Sequence, residues 1–301
     1  MHRKYSKLLH LLLIWHLALS DELATDGKRT KRLATPSYSL HVTQTMAKYV
    51  VSIRSRTPRK YFGDNHFCGG SIISPQYVLT AAACVMDHRK IIYRSRVLLV
   101  VAGTPNRLKV VEGQTINMPV ERIYVPANYT IHNTNNIAIL RLHFELPTDK
   151  PHIGIINLPK GPPTVGLMYM VLGWGRVYLG GALASLILYI EIKLQDRELC
   201  HAMIETFLPE MLCAGNMNTS LDENPCSGDT GDPMLRNLTI YGVVSYRLGC
   251  GNTYMPSVYT DVWYHIDWIK DVINGSQQLY LFVPHLIGLL LNMFIVQLER
   301  V

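Results

Sequence analysis

A chain of 301 residues that is 48% hydrophobic carries enough apolar material for one large domain or two modest ones, which excludes disorder as its main state. Sixteen prolines and 21 glycines, against 17% charged residues, exclude a coiled coil or an all-helical bundle and favour a turn-rich β protein. The net charge of +7 falls to +4 without Arg3, Lys4 and Lys7 of the leader described next, and no Lys/Arg stripe is interleaved with aromatics, so the composition points away from nucleic acid.

His2, Arg3, Lys4 and Lys7 precede an apolar run from Leu8 to Leu19, and Ala18-Leu19-Ser20 lead into Asp21 and Glu22. That order predicts a secretory signal peptide over residues 1–20. The competing membrane helix falls short of the roughly 20 residues a span requires. Arg29-Thr-Lys-Arg32 resembles a furin-like convertase site that would release 21–32 as a pro-segment, the alternative being a dibasic surface loop. Four Asn-X-Ser/Thr acceptors, Asn128, Asn218, Asn237 and Asn274, agree with passage through the secretory pathway to the cell surface.

From there the chain reads as short β-branched strands separated by Gly, Pro and Asn turns. They are predicted at Val50–Ser55, Ser71–Thr80, Arg96–Ala102, Ile137–Leu142, Tyr169–Gly173, Leu186–Leu194, Ile240–Ser245 and Ser257–Val262. Ile266, Ile269 and Ile273 then fall at helical spacing and predict a terminal amphipathic helix. Beyond it, Leu279 to Val296 is apolar except for Pro284, His285 and Asn292, which predicts an anchor over 275–301. A lipid-anchor signal is opposed by the short spacer Gln277-Gln278 and by the trailing charges Glu299 and Arg300. A single span is opposed by the length of the run and its proline. A third reading is a helix packed on the domain.

Six cysteines in a secreted domain make three disulfides the default, and sequence spacing alone leaves fifteen pairings open. Their surroundings are more specific. Phe67-Cys-Gly-Gly-Ser-Ile-Ile73, Leu79-Thr-Ala-Ala-Ala-Cys84, Asn136-Ile-Ala-Ile-Leu140, Gly173-Trp-Gly175, Cys226-Ser-Gly-Asp-Thr-Gly-Asp-Pro233 and Pro256-Ser-Val-Tyr-Thr260 occur in one order. This resembles the trypsin/chymotrypsin-like serine proteases, from about residue 36 to 274. The resemblance implies an all-β fold of two packed six-stranded antiparallel barrels with a C-terminal α-helix. It divides the domain of residues 33–274 near residue 150. It also implies bridges Cys68–Cys84, Cys200–Cys213 and Cys226–Cys250.

In that family a hydroxyl attacks the scissile carbonyl, an imidazole takes its proton, a buried carboxylate holds the imidazole, and backbone N–H groups bind the oxyanion. Where the resemblance expects the histidine, before the cysteine of the Thr-Ala-Ala-His-Cys pattern, this chain has Ala83. The carboxylate position is Asn136, a neutral amide, and the nucleophile position is Thr230, stiffened by its β-methyl. Gly228 and Thr230 would form the oxyanion hole, while Asp232 replaces a family glycine and would bring negative charge toward it. His66, His88 and His132 are the histidines nearest in sequence that could serve as a substitute base, against a reading as surface residues.

By the same resemblance the pocket base is Asn224, which removes the carboxylate that Arg/Lys selectivity requires. Its wall reads Ser245-Tyr246-Arg247, with Ser257 in place of a glycine, so Arg247 is expected either to obstruct the entrance or to swing into solvent. The family's Ile-Val-Gly-Gly terminus would fall near Pro36-Ser37-Tyr38, where it is absent. Asp229 is therefore expected to lack its usual amine partner, giving a loosened, zymogen-like pocket or a substitute cation. The expectation overall is an inactive, membrane-anchored relative that binds an extracellular protein, namely a protease, an inhibitor or an adhesion protein, and uses no metal or cofactor. The alternative is a threonine-dependent peptidase using Thr230.

Overall fold

A computed structural model describes residues 40–130, 134–217, 223–246, 250–252 and 254–275. The predicted signal peptide, the predicted Arg29–Arg32 processing site, the Pro36–Tyr38 segment and the tail from 276 onward lie outside these described residues. No helix among the described residues is long and apolar enough to cross a membrane.

A short helix α1 (Leu40–Met46) leads into the first barrel. Its strands are β1 (Val50–Ser55), β2 (His66–Ser74), β3 (Tyr77–Thr80), β4 (Leu98–Ala102), β5 (Ile116–Tyr124) and β6 (Ala138–Leu142). They close antiparallel in the order β1-β2-β3-β6-β5-β4. The run predicted as one strand over Ser71–Thr80 is two, because Pro75-Gln76 turn the chain and the Ser74 hydroxyl accepts the Tyr77 N–H at 3.1 Å. Ile53, Ile72, Val78, Leu79, Val100 and Ile139 belong to the main apolar core, on both faces of the barrel sheet, and are essentially inaccessible. Each such side chain contributes roughly 1.5–3 kcal/mol by leaving water.

The second sheet comprises β7 (Met168–Gly173), β8 (Leu188–Lys193), β9 (Met211–Ala214), β10 (Pro233–Arg236), β11 (Thr239–Tyr246) and β12 (Ser257–Asp261), ordered β8-β7-β10-β11-β12-β9. Its two edges meet just past β8. There Gln195 N–H donates to Cys213 C=O and Gly215 N–H to Lys193 C=O, both at 3.0 Å, so the sheet is nearly closed. Between β8 and β9 runs α2 (Arg197–Met203), capped by Asp196, whose carboxylate accepts the Leu199 N–H at 2.7 Å. The C-terminal helix α3 spans 266–275 and lays Ile266 and Ile269 inward. It starts where Asp261 accepts the N–H groups of Trp263 and Tyr264.

The disulfides are Cys68–Cys84, Cys200–Cys213 and Cys226–Cys250, as the resemblance implied. Between the barrels, Asn136 just before β6 faces Ser245 on β11 and Thr260 on β12, which places the candidate site on this seam.

Candidate functional site

Asn136 is fully buried, and its orientation follows from its neighbours. The Ala83 N–H can only donate, so the amide oxygen faces it at 2.9 Å, and the amide nitrogen donates to Ser245 Oγ at 2.7 Å. The Thr260 hydroxyl donates to the Asn136 carbonyl at 2.8 Å. One residue of the first barrel thus fastens two strands of the second. A carboxylate here would need the Ser245 proton pointed at it, whereas the amide supplies its own donor.

Ala83 is exposed in the 3₁₀ turn Ala82–Cys84, and Thr230 is half-buried opposite it on the loop between Cys226 and Pro233. The Thr230 carbonyl accepts the Gly69 N–H at 2.9 Å, which fixes the loop against β2. Among the described residues no group hydrogen-bonds the Thr230 hydroxyl. The N–H groups of Gly228 and Thr230 make no bond within the described residues either, while Asp229 N–H is used by Cys226 C=O at 2.9 Å. Gly228 has φ +103, and a Cβ there would lie 2.6 Å from Leu183, so the turn requires glycine on both counts. Two N–H groups of this loop are thus unused among the described residues.

Of the three spare histidines, His132 lies outside the described residues and His88 is exposed. His66 is buried, and both ring nitrogens are engaged. The Gly228 carbonyl at 3.1 Å can only accept, so Nε2 carries the proton. Arg54 Nε donates to Ser52 Oγ at 2.8 Å, which turns the Ser52 proton toward His66 Nδ1, also at 2.8 Å. Burial first, then the charges of Arg107 and Arg54, hold the imidazole down at about 3. His66 is a neutral strut with no free lone pair for Thr230.

Two buried guanidiniums support that strut, and neither is flagged by the linear sequence. Arg54 lies under the Phe62 ring and donates to the Arg107 carbonyl at 2.8 Å. Arg107 donates to the carbonyls of Gly63, Ala184 and Leu183, at 2.5, 2.7 and 3.3 Å, so it ties the first barrel to a loop of the second. Ser52 and Arg54, two apart in one strand, were the available signal of polar groups on one face. Beside them lies a cleft of about 460 Å³ lined by Arg59, Asp64, His66, Arg176, Leu183 and Gly228.

Asp232 departs from expectation. It does not confront the oxyanion position but turns inward, fully buried under the nucleophile loop. A Cβ built on Gly173 would meet Asp232 Oδ2 at 2.2 Å and Asp229 Oδ1 at 2.3 Å, so the two carboxyls flank one small space. The Asp229 oxygens accept N–H groups of Gly175 at 2.6 Å and Cys226 at 2.7 Å. As a carboxylate Asp232 would meet no donor among the described residues. As an acid it can donate to Asp229. Burial, and then the Asp229 charge, push its carboxyl well above the usual range, so it is held protonated. The segment 36–38, on which the zymogen-like pocket expectation depends, lies outside the described residues.

At the pocket base Asn224 is buried, and its Oδ1 accepts from Ser257 Oγ at 3.3 Å. Ser245 is buried beside Asn136, Tyr246 ends β11, and Arg247 lies outside the described residues. Asn128, Asn237 and Asn274 are exposed, as a glycan acceptor must be, whereas Asn218 lies outside the described residues. No group of three or more metal-ligating side chains occurs among the described residues.

The trypsin family profile matches residues 41–269. This chain belongs to the trypsin family. Its relatives include the thrombin-like enzyme AhV_TL-I of Gloydius halys, 32% identical over 70% of this chain and 86% of that protein. The snake venom serine protease Haly-2 of Gloydius brevicauda is 31% identical over 71% of this chain and 80% of that protein. A venom plasminogen activator of Agkistrodon piscivorus leucostoma is 29% identical over 72% and 81%. Within this trypsin-family frame, Ala83 and Asn136 meet at the barrel seam, the Thr230 carbonyl lies 3.5 Å from Cys84 Sγ, and Gly228 packs near Leu183 and Gly175.

Proposed function

We propose that this trypsin-family chain is an extracellular, membrane-anchored protein without peptidase activity, whose role is to bind another protein. The observation that carries the reading is the proton path. A methyl group stands at position 83, no described residue hydrogen-bonds the Thr230 hydroxyl, and His66 is consumed by Ser52 and Gly228. A hydroxyl without a base is a weak nucleophile, and members of such a triad act as a unit, so their losses do not simply add. Rigid barrels with variable loops suit recognition when chemistry is absent. A protease, an inhibitor and an adhesion protein are the partner classes such a scaffold offers.

The second reading, a Thr230-dependent peptidase, draws support from the N–H groups of Gly228 and Thr230, which bond to nothing among the described residues. A fluorophosphonate probe separates the two. The expected result is no labelling of the purified chain under conditions that label trypsin fully. Stoichiometric labelling at Thr230 that disappears in Thr230→Ala overturns the proposal. Release of the protein from intact cells by a phosphatidylinositol-specific phospholipase identifies a lipid anchor, and retention points to a span.

A further inference from the structure

Two loops on one rim of the first barrel concentrate positive charge. The β1–β2 loop carries Arg56, Arg59 and Lys60, and the segment from 87 to 97 carries Arg89, Lys90, Arg94 and Arg96, all exposed. The loops are neighbours, because Arg56 N–H donates to the Val97 carbonyl at 2.8 Å. Each contains one aspartate, which offsets a single charge and leaves both loops with a positive excess. Asp64 accepts the N–H groups of Arg59, Lys60 and Tyr61, and Asp87 those of Arg89 and Ile91. The acids act as internal staples that fix the shape of the basic loops.

Apolar side chains are interleaved with the cations. Residues 85–93 form a hairpin in which Tyr93 N–H donates to Val85 C=O at 2.8 Å, and Met86 bridges Ile92. Its return arm exposes Ile91 by 58%, Ile92 by 44% and Tyr93 by 40%, and Val97 follows at 44%. Tyr61 adds 59% on the other loop. The hairpin tip, by contrast, is His88-Arg89-Lys90. A patch of this mixed kind marks an interaction surface.

We infer that this rim is a docking site for an acidic protein segment whose carboxylates alternate with apolar side chains. Carboxylates match the cations of both loops, and the apolar residues of the partner cover Ile91, Ile92, Tyr93 and Tyr61. A sulfated polysaccharide leaves those four side chains unmatched. A membrane is disfavoured because the protruding tip is charged while the apolar residues lie on the flank. The inference deepens the binding-module reading and rests on it. It fails on a binding assay, whereas that reading fails on the fluorophosphonate probe.

The test uses the full chain purified in detergent and a labelled peptide in which Glu alternates with Phe and Leu, followed by fluorescence polarisation. Oligo-Glu of equal charge, a heparin oligosaccharide and phosphatidylserine-coated beads serve as comparators. The expected result is binding that weakens when salt rises from about 0.05 M to about 0.3 M. Arg56→Glu with Arg94→Glu and Arg96→Glu should weaken it about tenfold or more, and Ile91→Ser with Ile92→Ser about fivefold. Lys270→Glu, on α3, should leave it unchanged. Circular dichroism melts identical to those of the unmodified chain keep the comparison between folded proteins. Equal binding of oligo-Glu or heparin with no effect of the isoleucine changes overturns the inference. So does preferential capture by phosphatidylserine, or no peptide binding.

Discussion

The buried guanidiniums of Arg54 and Arg107 in the first barrel and the buried carboxyls of Asp229 and Asp232 in the second find different kinds of partner. Between them the cations reach Ser52 Oγ and four backbone carbonyls. Asp229 finds two N–H donors, but Asp232 finds only another acid. Carbonyls are abundant wherever loops pack together, so a buried guanidinium can be solvated by backbone. N–H groups are mostly committed to strands, so a buried carboxyl more easily goes without and keeps its proton.

The largest effect expected from breaking this contrast is at Arg107. Arg107→Met keeps the bulk but strands three carbonyls between the barrels, at a cost of about 3 kcal/mol. Chemical denaturation measures it, and a loss under about 1 kcal/mol means that water replaces the guanidinium there.

Next comes Asp232→Asn, whose amide donates to Asp229 at every pH. Asp232 has a raised folded pKa, so its stabilising proton is fully present below the unfolded value near 4 and is lost as pH rises toward the folded value. His66 works in the opposite sense, because its folded pKa of about 3 means that stability is lost as pH falls below about 6.5. Subtracting one melting series from the other cancels His66. The advantage of Asp232→Asn should therefore grow with pH, reaching on the order of 1–2 kcal/mol at the alkaline end. An advantage independent of pH would show that Asp232 is not protonated in the folded chain. The smallest effect belongs to Thr230→Val, within about 0.5 kcal/mol, because the hydroxyl it removes has no described partner to lose.

Much of the barrel architecture could be read from the chain because β1, β7, β11 and β12 are apolar runs bounded by turn residues. β5 escaped because Asn117, Pro119, Glu121 and Arg122 interrupt its pattern, although Pro119 is accommodated opposite Leu99. β9 and β10 are four residues each, too short to show a period. The short helix α2 announced itself only through its Asp196 cap. At the site, Ala83, Asn136 and Thr230 were legible because each stands inside a local motif. The direction of Asp232 was not, since it depends on Gly231 at φ +89 and on the room left by Gly69 and Gly173. The engagement of His66 was hidden for another reason: Ser52 lies 14 residues away from it and Gly228 lies 162 away.

Asn136 carries a consequence for how such a molecule can drift. Its position stands at a joint: one bond ties it to Ala83 in its own barrel and two cross the seam, and all three are mechanical, whatever chemistry occurs nearby. Replacing it with alanine should loosen the hinge between the halves before it alters any surface. Of Ala83, Asn136 and Thr230, Asn136 alone has a side chain held from both barrels, so the architecture limits what can stand there.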